Sequence, residues 1–258
     1  MLLAGAAAAV PLDDRGAARL GTADVAVLGE RHDNPLHHNA QARLVAEIDP
    51  AALVFEMIPE ALALTVTDEM RGDADRLAGH LDWNARGWPD FSMYWPIFAA
   101  APDATLFGAE LPRDEVERAM DEGAADALGD WAALFGLDTA PDPAEQGGRE
   151  AEMSASHCGA LPDALLPRMV EAQRVRDAGL ARAVLAAMAE TGGPVAVITG
   201  NGHARKDWGM PALLAEAAPD LDVVVLGQFE AEPDSPQPYD FWTVAPPPGR
   251  GDPCAAFR

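Results

Sequence analysis

Four apolar runs in this chain end in similar chemistry. Gly29-Glu30-Arg31-His32 follows the first, and Glu56 ends the second. Gly108-Ala109-Glu110 ends the third, and Gly200-Asn201-Gly202-His203 follows the fourth. Glutamates and histidines that converge can move protons, pair as ions or hold a divalent metal. Glycines beside them let the backbone turn sharply and approach a ligand. Glu30, His32, Glu56 and His203 form the candidate catalytic or metal-binding set, with Glu110 and Asn201 beside them. Crowded carboxylates raise one another's pKa unless cations or hydrogen bonds intervene. Glu56 or Glu110 is therefore expected to carry a raised pKa, or else to pair with Arg31 or a histidine.

The elements that position these residues can be read from apolar patterning. Residues 24–28, 53–55, 104–107, 195–199 and 221–226 are short continuous apolar runs, as strands covered on both faces should be. Helical stretches separate them. The expected fold is α/β, a mostly parallel sheet flanked by helices. Residues beyond the carboxyl ends of such strands share one crevice. Residues 241–244 add an expected edge strand. Asn34-Pro35 reads as an N-cap with proline at the first helical position, and Leu111-Pro112-Arg113-Asp114 opens another helix. The longest periodic segment covers 163–189. Gln173 and Asp177 fall at the centre of its apolar stripe, with Arg174 and Arg176 on the flanks. A buried acid and amide need partners, so they either hold a loop or stand behind the cleft residues. His37 reads as a core histidine and His38 as solvated. Residues 139–148 read as a surface loop.

The span 72–102 is an aromatic-rich helical excursion between the second and third strands. It holds Trp83, Trp88, Phe91, Tyr94, Trp95 and Phe98. Pro96 is expected to kink or restart the helix there. This segment is either core or a wall for a flat apolar ligand. The domain expectation is an N-terminal segment at 1–22, one α/β domain at 23–244 and a loose Pro-rich tail at 245–258. The first ten residues resemble the apolar end of a secretory signal without its positive region.

The chain has 258 residues and a formal charge of −24. Such a surface repels phosphate, which argues against a nucleic-acid partner. No apolar run approaches the ~20 residues of a spanning helix. The two cysteines, Cys158 and Cys254, exclude a Cys-rich metal site and leave a single disulfide open.

The stretches LGERHDNPLHHNAQ (28–41), VFEMIP (54–59), WPDFSMYWPIF (88–98), AQRVRDAGLA (172–181) and GNGHARKDWGMP (200–211) resemble the ChaN-like haem-binding uptake family. That resemblance implies an α/β fold, haem binding without catalysis, a role in iron uptake and a periplasmic or exported location, with a cytoplasmic one still open. It implies a tyrosine ligand to ferric haem, matching Tyr94, with Met93, Trp95 and Trp88 around the porphyrin. Arg86 is expected to lower the Tyr94 pKa, and a second copy of the chain to cover the other haem face. The related Tiki-type proteins supply the alternative, a metal-dependent hydrolase using Glu30, His32, Glu56 and His203.

Overall fold

A computed structural model describes residues 9–252 and 254–255. Among these, one parallel sheet contains β1 (Val10–Pro11), β2 (Val25–Glu30), β3 (Ala52–Pro59), β4 (Thr105–Glu110), β5 (Val195–Gly200), β6 (Val223–Phe229) and β7 (Phe241–Val244). The strand order is β1-β7-β6-β2-β5-β3-β4. Side chains alternate across the sheet. Val25, Val27, Val54 and Val197 enter one core, while Leu28, Leu53, Phe55 and Ile198 enter the other. Both faces are covered, so the strands read as unbroken apolar runs.

The helices are α1 (Asp14–Leu20), α2 (Pro35–Ile48), α3 (Glu60–Ala63), α4 (Asp68–Arg71), α5 (Ala74–His80), α6 (Phe91–Ala100), α7 (Arg113–Glu122), α8 (Ala124–Leu128), α9 (Trp131–Leu134), α10 (Pro143–Ser156), α11 (Leu166–Thr191) and α12 (Met210–Ala217). Helices α1, α2, α5 and α6 pack on one face, and α7, α8, α9, α11 and α12 on the other. Asn34 caps α2 by accepting from the Leu36 N–H at 3.0 Å. In the register of β2 and β5, Glu30 lies opposite Gly200. That register brings the Glu30–His32 and Asn201–His203 segments side by side.

Several expectations require correction. Helix α6 runs through Pro96, so the expected restart there does not occur. Pro96 costs one backbone hydrogen bond, but Phe91, Tyr94, Ile97 and Phe98 bury one face of the helix and hold it. The expected loop at 139–148 is cut short, because Asp142 caps α10 through the N–H groups of Ala144 and Glu145. β7 is not the sheet edge, since the two-residue β1 pairs outside it. Pro11 is tolerated there because an edge strand has no ladder bond to lose on its outer side.

The described part of the N-terminal segment is not separate from the α/β domain: α1 packs on the sheet with Leu20 fully buried. The signal-like stretch lies mostly outside the described residues. Nor is the C-terminal segment loose. The Ala245 N–H donates to the Phe229 carbonyl, and Asn34 donates to the Pro246 carbonyl at 3.1 Å. Arg250 pairs with Asp33 and Glu230. Cys158 and Cys254 are disulfide-bonded, with Cα atoms 5.7 Å apart.

Candidate functional site

A cleft of about 1150 Å³ opens beyond the carboxyl ends of β2, β3, β4 and β5. Glu30, His32, Glu56, Glu110, Asn201, His203 and Gln173 all line it, so the strand-end residues do converge. Gly200 makes room for this convergence. A Cβ there would lie 2.8 Å from the His32 Nε2, so only glycine lets the ring sit against β5.

The polar floor is a network of ion pairs. Glu30 is buried. Its Oε1 accepts from His32 Nδ1 at 2.8 Å and from the Tyr94 hydroxyl at 3.0 Å. Its Oε2 pairs with His38 Nδ1 at 3.0 Å. Burial alone would raise this carboxyl, but the His38 charge and the hydrogen bonds from His32 and His38 outweigh it and hold the pKa at about 2. His38 Nε2 faces the His32 carbonyl at 2.8 Å, and Nδ1 also faces Gln41 Oε1 at 3.1 Å. Both ring nitrogens face acceptors, so His38 is a buried imidazolium. Burial disfavours that charge, and Glu30 restores it and raises the pKa.

Glu56 holds the other half of the floor. Its Oε2 accepts from the Thr199 hydroxyl and the Gly200 N–H, each at 2.7 Å. Its Oε1 lies 3.5 Å from His203 Nε2 and 3.8 Å from His32 Nε2. Burial opposes ionisation of Glu56, yet the His203 and His32 charges and these hydrogen bonds lower its pKa. His203 Nδ1 donates to Asp177 at 2.6 Å. Burial opposes the imidazolium here too, but Glu56 and Asp177 raise its pKa. His32 is raised to about 9, because Glu56, Glu30 and Asp33 together outweigh its desolvation. Neighbouring carboxylates thus raise His32, His38 and His203, while burial raises Asp177 against the pull of His203.

The other wall is mainly apolar, with Gln173 and Arg176 set into it. Leu111, Pro112, Val116, Met120 and Leu180 line it, and Trp88 stands at its edge with its ring 5.0 Å from His32. Glu110 pairs with Arg86 at 3.0 Å, but burial still raises its pKa. The expected pairing of Arg31 with a site carboxylate is not observed, and Arg31 lies 3.5 Å from Glu230 instead.

The family model described as haem-binding uptake, Tiki superfamily, ChaN, matches residues 17–214. The chain belongs to this family. A ChaN structure from Campylobacter jejuni, described as binding haem cofacially, superposes with a TM-score of 0.67 at 19% identity, covering 88% of this chain and 89% of that one. At that identity the likeness shows the shared fold. The type III effector HopBA1 gives a TM-score of 0.46 at 12% identity, covering 91% of each chain. No curated protein sequence matches this chain significantly.

For a ChaN-family chain the position of Tyr94 matters most. Tyr94 is fully buried and does not line the cleft. Its hydroxyl donates to Glu30, and burial beside that carboxylate pushes its pKa up, away from phenolate. Arg86 serves Glu110 and is not the Tyr94 partner. Met93 and Trp95 pack against the core rather than the cleft, and only Trp88 of the expected aromatic wall faces it. Tyr239 is also buried, and its hydroxyl donates to the Asn201 carbonyl. A divalent-metal set from Glu30, His32, Glu56 and His203 also gains no support. Among the described residues no group of three or more His, Cys, Asp or Glu is arranged to hold a metal ion.

Sequence reasoning placed His38 in solvent and so missed the main counter-charge of Glu30. The available signal was its spacing on α2, with Gln41 one turn further on. Gln41 Nε2 donates to the Leu28 carbonyl, which turns its oxygen towards His38.

Proposed function

We propose that this protein binds ferric haem in the cleft and serves haem or iron uptake, with His32 as the axial ligand. The observation that carries the reading is the state of His32. Its Nδ1 is fixed by the buried Glu30, and its Nε2 makes no hydrogen bond among the described residues, lies 3.8 Å from Glu56 Oε1, and must release its proton to solvent to take the iron. A ligating histidine usually donates its other N–H to a carboxylate, which fixes the ring and raises its basicity. The cleft suits a tetrapyrrole. Trp88 and the Leu111–Val116 wall offer apolar surface for the ring, and its volume exceeds the usual range for small-molecule pockets. Haem supplies the iron chemistry, while the chain supplies the ligand, the apolar wall and the charge. Membership of a haem-binding uptake family supports the same reading.

Titration with haemin tests it. Wild type should give a saturable Soret shift. His32→Ala should lose the ligated spectrum, while Tyr94→Phe should keep it. Unchanged spectra in His32→Ala would exclude His32 as the ligand. Two further points belong to the proposal. The disulfide suits an oxidising compartment, which supports export. A second copy of the chain covers the open haem face, so haemin should shift the protein towards a dimer in analytical ultracentrifugation. A monomer at saturation would refute that part.

A further inference from the structure

We infer that Arg176 and Gln173 form a carboxylate-binding subsite in the cleft wall, and that it takes one propionate of the haem. The inference rests on the haem reading above. Arg176 and Gln173 lie three residues apart on α11, so they share a helix face, and both line the cleft with Leu180 one turn further on. Arg176 is half-buried, yet it makes no hydrogen bond or ion pair within the described residues. Every other buried or half-buried arginine among them has a partner. Arg86 holds Glu110, Arg149 holds Glu145, Arg174 holds Glu171 and Arg205 holds Asp207. Arg182 and Arg250 also face carboxylates, and Arg71 holds two backbone carbonyls.

The carboxylates nearest in effect to Arg176 are Glu56, Asp177 and Glu110. Each is already committed, Glu56 to Thr199 and Gly200, Asp177 to His203 and Glu110 to Arg86. No acid among the described residues therefore closes on this guanidinium, although the chain has 42 acidic residues. The Gln173 amide makes no hydrogen bond among the described residues either. A guanidinium keeps its charge under desolvation and presents a planar fork of donors. Its best complement is a planar carboxylate, bound through two parallel hydrogen bonds. The surrounding walls define the rest of the ligand: apolar surface at Leu180 and Leu111 meets a flat hydrocarbon body, and Arg176 meets its acid. In a protein of charge −24 the general field repels anions, so an acid-bearing ligand needs such a local cation.

The test compares haemin with haemin dimethyl ester, which keeps the ring and iron but lacks the propionate charges. Affinities are measured by absorbance for wild type, Arg176→Gln and Arg176→Lys. Wild type should prefer haemin by about ten-fold or more, the range of a charge-assisted contact. Arg176→Gln should lose that preference through weaker haemin binding, with its affinity for the ester unchanged. Arg176→Lys should fall between them. Excess phosphate should not displace haemin; displacement would assign the subsite to small free anions and overturn the propionate assignment. A full preference for haemin in Arg176→Gln would overturn the subsite alone. No haemin binding by wild type would overturn the haem reading and the subsite together. Arg176 bonds nothing among the described residues, so the unfolding midpoint of Arg176→Gln should match wild type and confirm an intact fold.

Discussion

The two walls of the cleft treat polarity in opposite ways. On the β2–α2–α6 side, Glu30, His32, His38 and Tyr94 are joined by hydrogen bonds and ion pairs, and three of the four are buried. On the α11 side, Gln173 and Arg176 project into the cleft beside apolar neighbours, without partners among the described residues. Interior polar groups that satisfy one another hold a scaffold, because leaving any one unpaired is costly. Polar groups kept from pairing are available to a ligand. The first wall orients His32, and the second is left to recognise what His32 binds.

The comparison breaks most visibly at His38. His38→Leu leaves the Glu30 carboxylate buried with its main compensating charge gone. Removing one member of a buried pair costs about 3–5 kcal/mol, and the loss should appear in denaturant unfolding of the ligand-free protein. A cost below about 1 kcal/mol would show that the first wall is not held by this network.

The next effect concerns the tie beside the cleft. The Cys158–Cys254 bond closes a loop across 96 residues and anchors the C-terminal segment near His157, which lines the cleft. The double substitution to serine should cost about 2–4 kcal/mol under non-reducing conditions. Equal unfolding midpoints for wild type and the double mutant would refute that contribution.

Tyr94→Phe removes one donor from Glu30 and leaves the ring packed. It should lower stability by about 1–3 kcal/mol without changing the haemin spectrum. A lost spectrum with full stability would reverse the roles assigned to Tyr94 and His32.

A graded effect arises from pH in the ligand-free protein. The Glu30 carboxyl falls from 4.5 to about 2. Its contribution is complete above pH 4.5 and disappears as pH falls through 2. The His32 imidazole rises from 6.5 to about 9, so its contribution is complete below 6.5 and is lost as pH rises through 9. Urea midpoints should therefore fall on both sides of the interval between pH 4.5 and 6.5. Midpoints that rise between pH 6.5 and 9 would contradict the imidazolium at His32. The smallest change is expected at Arg176→Gln, within about 0.5 kcal/mol of wild type. A larger loss would mean that the second wall is structural like the first.

Strand positions and their shared cleft were legible in the sequence because strands buried on both faces must be continuously apolar, and because parallel strands align their carboxyl ends. The run at 195–199 and the Gly-Asn-Gly-His after it announced both β5 and His203. Membership of the family was legible from motifs at Leu28–Gln41 and Gly200–Pro211. The aromatic segment was not legible in the same way. Composition showed that Tyr94 sits among rings, but not that α6 turns its hydroxyl towards Glu30. His38 looked solvated because α2 reads as an amphipathic helix with His37 inward, yet Ala40 and Leu44 do not reveal which other face meets a strand end.

What the sequence determined by itself is the local and periodic part of this protein: the strands, the capped start of α2 at Asn34 and the recurrence of acids and imidazoles after glycine. What only the tertiary structure decided is which polar groups find partners. Glu30 meets Tyr94 across 64 positions, and Glu56 meets Gly200 across 144. Arg176 meets no acid among the described residues, although Asp177 is its neighbour in the chain. Pairing depends on distance and direction between side chains carried by different elements. Those quantities exist only after the sheet order and the helix rotations are fixed by burial of the apolar faces.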